Sequence, residues 1–262
     1  MASTSDVLEL LQQVAEQVIT PRFRALSGDE VDEKLPGDFV TIADRESEQV
    51  LTRELPRMFP GATVVGEEAT FADPRVLDRL GDEHVFLVDP VDGTRNFVKG
   101  SPDHAVMVSE LRRGEPTRTW IWQPEHQQAY LAERGAGAVR IDHGVEQPMV
   151  PRQALHRLPI GATSKGARRG FTADGQLAPV QMSAWCAGID YPRLATGQLD
   201  YLVYKNLKPW DHVPGAVLLR ELGGASMVFE GRDYRPTDAG PGLVIAASRE
   251  LAELVIETWQ QP

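Results

Sequence analysis

Val7, Leu11, Val14 and Val18 recur at helical spacing near the start of the chain. They predict a first helix with Asp6 as its cap and Pro21 beyond its end. From Ser27 to Asp38 the chain turns polar, with Gly28, Pro36 and Gly37, and reads as a mobile loop. The apolar run at residues 39–43 precedes Asp44, which opens a second helix carrying Val50, Leu51, Leu55 and Met58. Val64-Val65 leads into Gly66-Glu67-Glu68, and Val85-Phe86-Leu87-Val88 reads as a short buried strand. Four strand-like runs follow at residues 105–111, 119–122, 129–132 and 138–141, separated by turns. Strands so closely spaced, without helices between them, predict an antiparallel meander. Trp120 and Trp122 alternate along one of these runs, so they share a sheet face and read as packing.

Residues 147–156 are polar and contain proline, and form the candidate boundary between an N-terminal unit, 1–150, and a C-terminal unit, 151–262. The second half predicts a strand near 158–162, a segment ending at Gly197, a strand at 201–204 and a helix at 210–222. Gly223-Gly224 stops that helix. Strands at 225–229 and 243–247 and a helix at 250–259 finish the chain. Helices and strands in separate blocks argue for a layered α+β fold rather than a doubly wound parallel one.

At 262 residues, 42% hydrophobic and 25% charged, the composition is that of a globular protein with a sizeable core. A net charge of −11 without a basic cluster speaks against a nucleic-acid-binding surface. A single cysteine, Cys186, cannot form an intramolecular disulfide; it fits a reducing compartment and reads as a small buried core residue. The N-terminus lacks signal-peptide character, and no segment is long and apolar enough to span a bilayer. The expectation is a soluble, cytoplasmic protein.

The candidate chemistry is concentrated in Asp89-Pro90-Val91-Asp92-Gly93-Thr94, which directly follows a strand. Two carboxylates about 4 Å apart repel by roughly 4 kcal/mol at an effective dielectric near 20. Either one takes up a proton or a hard cation sits between them. Glu67 and Glu68 follow another strand, and Asp211 and Asp44 open helices, so these acids can face one cleft. Oxygen-only ligands suit Mg²⁺ or Mn²⁺. Taken singly, each has a plainer explanation: Asp92-Gly93 as a tight turn, Asp211 and Asp44 as helix caps, Glu67-Glu68 as a solvated loop tip.

Taken in order, Gly66-Glu67-Glu68, the string from Asp89 to Thr94 continuing Arg95-Asn96-Phe97, and Trp210-Asp211 ahead of Gly223-Gly224 resemble the inositol monophosphatase family. Asp38-Phe39-Val40-Thr41-Ile42-Ala43-Asp44 is similar to that family's D-x-V-T-x-x-D segment. The resemblance runs from about Val7 to Trp259. It implies a layered αβαβα sandwich of the sugar phosphatase type, commonly dimeric. The implied activity is a Mg²⁺-dependent, lithium-sensitive phosphomonoesterase that hydrolyses a small phosphorylated polyol or sugar by metal-activated water. By the same resemblance, Glu67, Asp89 and the Val91 carbonyl would hold one metal, and Asp89, Asp92 and Asp211 a second. Glu67 would help hold a third, weaker one through water. Gly93 and Thr94 would cradle the phosphate, while Asp44 with Thr94 would orient the attacking water.

The N-terminal unit would then carry most metal ligands, and the C-terminal unit Asp211 and the substrate-selecting wall. That wall departs from the family pattern. Tyr204 stands where inositol-selective members carry a glutamate, seven residues before Asp211. Trp185-Cys186-Ala187-Gly188, followed by Ile189-Asp190, replaces a G-T-A-A-like stretch. Asp92, Asp190, Tyr204 and Lys205 are the candidate substrate contacts; Lys205, Lys208 and Arg193 add positive charge that either meets a second anionic group or is solvated or paired surface charge. His212, beside Asp211, reads as a ligand-orienting or a packing residue. Fructose 1,6-bisphosphate, 3′-phosphoadenosine 5′-phosphate and histidinol phosphate stand as alternative substrates. A regulatory, protein-binding role is the alternative of another class.

Overall fold

A computed structural model describes residues 2–151 and 157–259. Helix α1 (Thr4–Val14) starts at Ser3, whose Oγ accepts from Asp6 N while Asp6 Oδ2 accepts from Ser3 N. Ser3 is therefore the cap, and Asp6 completes a reciprocal capping box one turn in. The helix does not stop before Pro21: it runs on through a wider turn at Ala15–Ile19 and a tight one at Thr20–Arg22 that contains that proline. The stretch expected to be a mobile loop is instead an antiparallel hairpin, β1 (Val31–Leu35) and β2 (Asp38–Thr41), turning at Pro36-Gly37. Helix α2 (Ile42–Met58) follows at once.

Seven strands make the first sheet: β3 (Thr63–Gly66), then, after α3 (Glu67–Ala72), β4 (Val85–Asp92), and, after α4 (Thr94–Val98), β5 (Ala105–Arg112), β6 (Glu115–Gln123), β7 (Gln128–Glu133), β8 (Gly137–Asp142) and β9 (Val145–Met149). Their spatial order is their chain order; β3 and β4 are parallel and the rest form the expected antiparallel meander. Strand β9 occupies the start of the proposed connector, whose residues 152–156 lie outside the described residues.

The remaining elements are β10 (Gly161–Thr163), β11 (Gln181–Met182), α5 (Ala187–Ala195), β12 (Tyr201–Tyr204), α6 (Pro209–Glu221), β13 (Ala225–Val228), β14 (Leu243–Ala246) and α7 (Arg249–Trp259). The strands form a second sheet in the order β11-β10-β12-β14-β13.

Alternation along the strands sorts the core into layers. Phe86, Val88, Val106, Val108, Trp120 and Trp122 pack with α1 and α2 on one face of the large sheet. Leu87, Met107 and Ile121 point the other way, to a core shared with α5, α6 and Leu202, Leu243 and Ile245 of the second sheet. Val203, Val244 and Ala246 face α7. The result is helix, sheet, helix, sheet, helix, the expected layered α+β sandwich. Among the described residues no helix is long and apolar enough to cross a membrane.

Candidate active site

Parallel pairing brings the first two acids together. Val64 is opposite Phe86, Val65 opposite Leu87 and Gly66 opposite Val88, so Glu67 and Asp89 directly follow the last parallel pair at one sheet end. Pro90 has no N–H to give to the β5 ladder, and the register slips there: Asp89 is opposite Met107, yet Asp92 is opposite Ala105. This bulge swings Val91, Asp92 and Gly93 out of the sheet plane into a cleft. Asp211 arrives from the middle layer, in the first turn of α6.

Carboxylate oxygens of Glu67, Asp89 and Asp211 lie within 4.8 Å of one another. Asp89 is 1% exposed, and its Oδ1 has no hydrogen-bond partner. Burial, and then Glu67, Asp92 and Asp211, push its carboxyl well above the usual range; burial and Glu67 do the same to Asp211. Lys34 Nζ at 3.2 Å and Lys208 Nζ at 3.4 Å both approach Glu67 Oε1. Although burial opposes its charge, Lys208 is held protonated by Glu67, Asp211, Asp38 and Asp89. An all-oxygen donor set with an orphaned buried carboxylate oxygen fits a hard divalent cation such as Mg²⁺.

Asp92 lines the same cleft but is also engaged behind it. Its Oδ2 accepts from Gly188 N at 2.5 Å and Cys186 Sγ at 2.9 Å, at the N-terminus of α5. This oxygen thus links the two halves of the chain. Cys186 is buried as expected, and it also donates to a candidate ligand.

Asp44 is both a cap and the acceptor for Thr94, a residue of the cleft lining. In α2's capping box, its Oδ2 accepts from Thr41 N (2.8 Å) and Thr41 Oγ1 (2.6 Å). Its Oδ1 accepts from Thr94 Oγ1 at 2.9 Å, and that hydroxyl is also 2.9 Å from the Val91 carbonyl. Burial, opposed by the Thr41 hydrogen bonds, pushes Asp44's carboxyl up to about 7.

Three predicted substrate contacts lie elsewhere. Asp190 is fully buried, accepting from Ala184 N at 3.0 Å and from Tyr204 Oη at 3.1 Å. Tyr204 is half-buried with its ring against His212. Lys205 is exposed and outside the cleft lining; Lys208, one turn on, is the lysine inside it. Arg193 sits 3.7 Å from Asp190 and lines a different cavity. His212 is a packing residue: Nε2 donates to Asn206 O (2.6 Å), so Nδ1 accepts from Tyr191 Oη (2.9 Å).

Sequence reasoning missed Lys34, hidden in a strand too polar to be recognised, and Glu48. The latter was signalled by its place one helical turn after Asp44 on α2. Glu48 Oε2 and Oε1 accept from Glu68 N and Ala69 N, each at 2.8 Å, capping the start of α3 and so fixing Glu67. Gly66 makes room, since a Cβ there would stand 2.3 Å from Glu48 Cδ. Glu48→Ala is expected to cost about 1–2 kcal/mol of stability, read by thermal melting. An unchanged melting temperature would remove Glu48 from this role.

Residues 1–261 match the model of the inositol monophosphatase family. An inositol-1-monophosphatase of Rhizobium meliloti is 30% identical over 238 residues, covering 87% of this chain and 85% of that protein. A putative Nus factor SuhB of Neisseria meningitidis is 30% identical over 211 residues, 77% of this chain and 78% of the relative. Among solved structures, an IMPase/NADP phosphatase complexed with Mg²⁺ and phosphate shares the fold at a TM-score of 0.76. It is 21% identical, over 98% of this chain and 94% of that one.

Proposed function

Because the chain belongs to the inositol monophosphatase family and is a phosphoric monoester hydrolase, we propose that it is a Mg²⁺-dependent enzyme for a small phosphorylated polyol, sugar or related alcohol. The observation that carries this reading is the convergence of Glu67, Asp89 and Asp211 around the unpaired Asp89 Oδ1. Glu67, Asp89 and the Val91 carbonyl would hold one ion, and Asp89, Asp92 and Asp211 a second. Mg²⁺ bound there would neutralise phosphoryl oxygens and acidify a water.

The chain's own groups would do the positioning on which phosphoryl transfer depends. Thr94 Oγ1 gives its proton to Asp44 Oδ1 or Val91 O, so its lone pairs are left to accept from the attacking water. Gly93 and Thr94 would offer backbone N–H groups to the phosphate, as no Cβ at Gly93 obstructs the approach. In the same proposal, residues 1–150 supply Asp44, Glu67, Asp89 and Asp92, residues 151–262 supply Asp211, and the enzyme works as a cytoplasmic homodimer. No specific observation favours a regulatory, protein-binding role over this one.

Phosphate release from a panel of sugar, polyol and nucleotide monoesters with Mg²⁺ tests the reading, and lithium is expected to suppress it. Release that is absent across the panel would defeat it. Asp44 adds a pH signature. As its carboxyl is raised to about 7, it is ionised above that pH and protonated below. With Mg²⁺ saturating, kcat is expected to fall as pH drops and Asp44 takes up a proton. Asp44→Asn should lower kcat and flatten that limb. A wild-type profile level from about pH 5.5 to 8.5 would remove Asp44 from the mechanism.

A further inference from the structure

The cleft that holds the acids is bordered by Phe39, Trp185 and Arg95. Trp185 stands apart from the other tryptophans: Trp120, Trp122, Trp210 and Trp259 are buried, whereas Trp185 is 48% exposed. Its φ is +58°, a left-handed conformation unusual for a bulky side chain. Such conformations persist where surrounding structure enforces them, and they concentrate at ligand sites.

The enforcement is visible. Ala184 N donates to Asp190 on one side of the indole, and Asn96 Nδ2 donates to Ala184 O at 2.8 Å. On the other side, Cys186 Sγ is fastened to Asp92. Tyr204 Oη steadies Asp190 from behind, and the Arg95 guanidinium sits 5.5 Å from the indole centroid. Asp190 and Tyr204 thus spend their polar groups on holding this loop. A polyol leaving group is recognised through hydroxyl hydrogen bonds, whereas Phe39, Trp185 and Arg95 bring two aromatic side chains and a guanidinium to this rim.

We infer that Trp185 is a specificity-determining residue: its indole is a stacking platform for a planar heteroaromatic ring on the alcohol half of the substrate. The inference rests on the phosphatase reading above. The ring is either a nucleobase or an imidazole, both flat and both suited to an indole face.

Benzyl phosphate and cyclohexylmethyl phosphate test it, being primary alkyl esters of similar leaving ability that differ in ring flatness. Wild-type kcat/KM is expected to favour benzyl phosphate by roughly three- to tenfold. Trp185→Phe should keep that preference. Trp185→Gly, which accepts the left-handed backbone without strain, should abolish it. A preference for adenosine monophosphate, or for 2-(imidazol-4-yl)ethyl phosphate, over ribose 5-phosphate would support the inference and identify the ring. Equal turnover of the benzyl and cyclohexylmethyl esters by the wild type would overturn it while leaving the phosphatase reading intact. No Mg²⁺-dependent release from any ester would instead overturn that reading. A smaller species for Trp185→Gly than for wild type in sedimentation would make the indole an interface residue, also overturning the inference.

Discussion

Asp89→Asn is expected to lower turnover by about 10³-fold or more, yet to raise the melting temperature of the metal-stripped protein. The two effects have one cause. Asp89 is buried among Glu67, Asp92 and Asp211, and its Oδ1 finds no donor. Asparagine keeps the shape, is neutral without taking up a proton and supplies donors to the neighbouring carboxylates. It also removes the group shared by both proposed ion sites. In the wild type, Mg²⁺ at 100 times its Kd should stabilise the fold by about 2.7 kcal/mol. For a chain of this size that is roughly 5–10 °C in Tm. Thermal melting in EDTA and in Mg²⁺ checks both halves. Near wild-type turnover, or a full Mg²⁺ shift in the variant, would count against the assignment.

Gly93→Ala is expected to lower both stability and turnover, although the residue carries no side chain. Gly93 sits at φ +80°, where an L-residue pays roughly 1–2 kcal/mol. A Cβ would stand 2.9 Å from Cys186 Cβ and 3.0 Å from the Asp103 carbonyl oxygen, neither of which is the end of a flexible side chain. Strain and overlap together should cost about 3 kcal/mol. Gly93 O also accepts from Asn96 N (2.8 Å) and Phe97 N (3.0 Å), so a shift there displaces Thr94. A displacement near 1 Å is worth about 10²-fold in turnover. Gly37→Ala is the control, with φ +83° and nothing within 4 Å of its Cβ; only the strain should appear. Equal melting temperatures for the two variants would refute the packing argument.

What could be read from the chain was what local chemistry determines. The meander was legible because its strand-like runs follow one another closely, with short turns and no helices between them. The acids were legible because strand ends and helix starts fix where they emerge, before any packing is known. Strands β1 and β9 were not, because Val-Asp-Glu-Lys-Leu and Val-Glu-Gln-Pro-Met are mostly exposed and show no apolar alternation. Lys205 and Lys208 could not be told apart, since the turn between β12 and α6 decides which one faces the cleft. Asp190 and Tyr204 were read as candidate substrate contacts, whereas in the structure they bond to each other. Their contact depends on α5 and β12 packing side by side, which no spacing encodes.

The central claim is that this acidic cluster works only with a divalent cation in it. Its most direct test is phosphate release by metal-stripped protein as Mg²⁺ is titrated in. The account predicts no release in chelator, recovery that saturates with Mg²⁺, and no recovery in Asp89→Asn. Release that persists undiminished in chelator would contradict it.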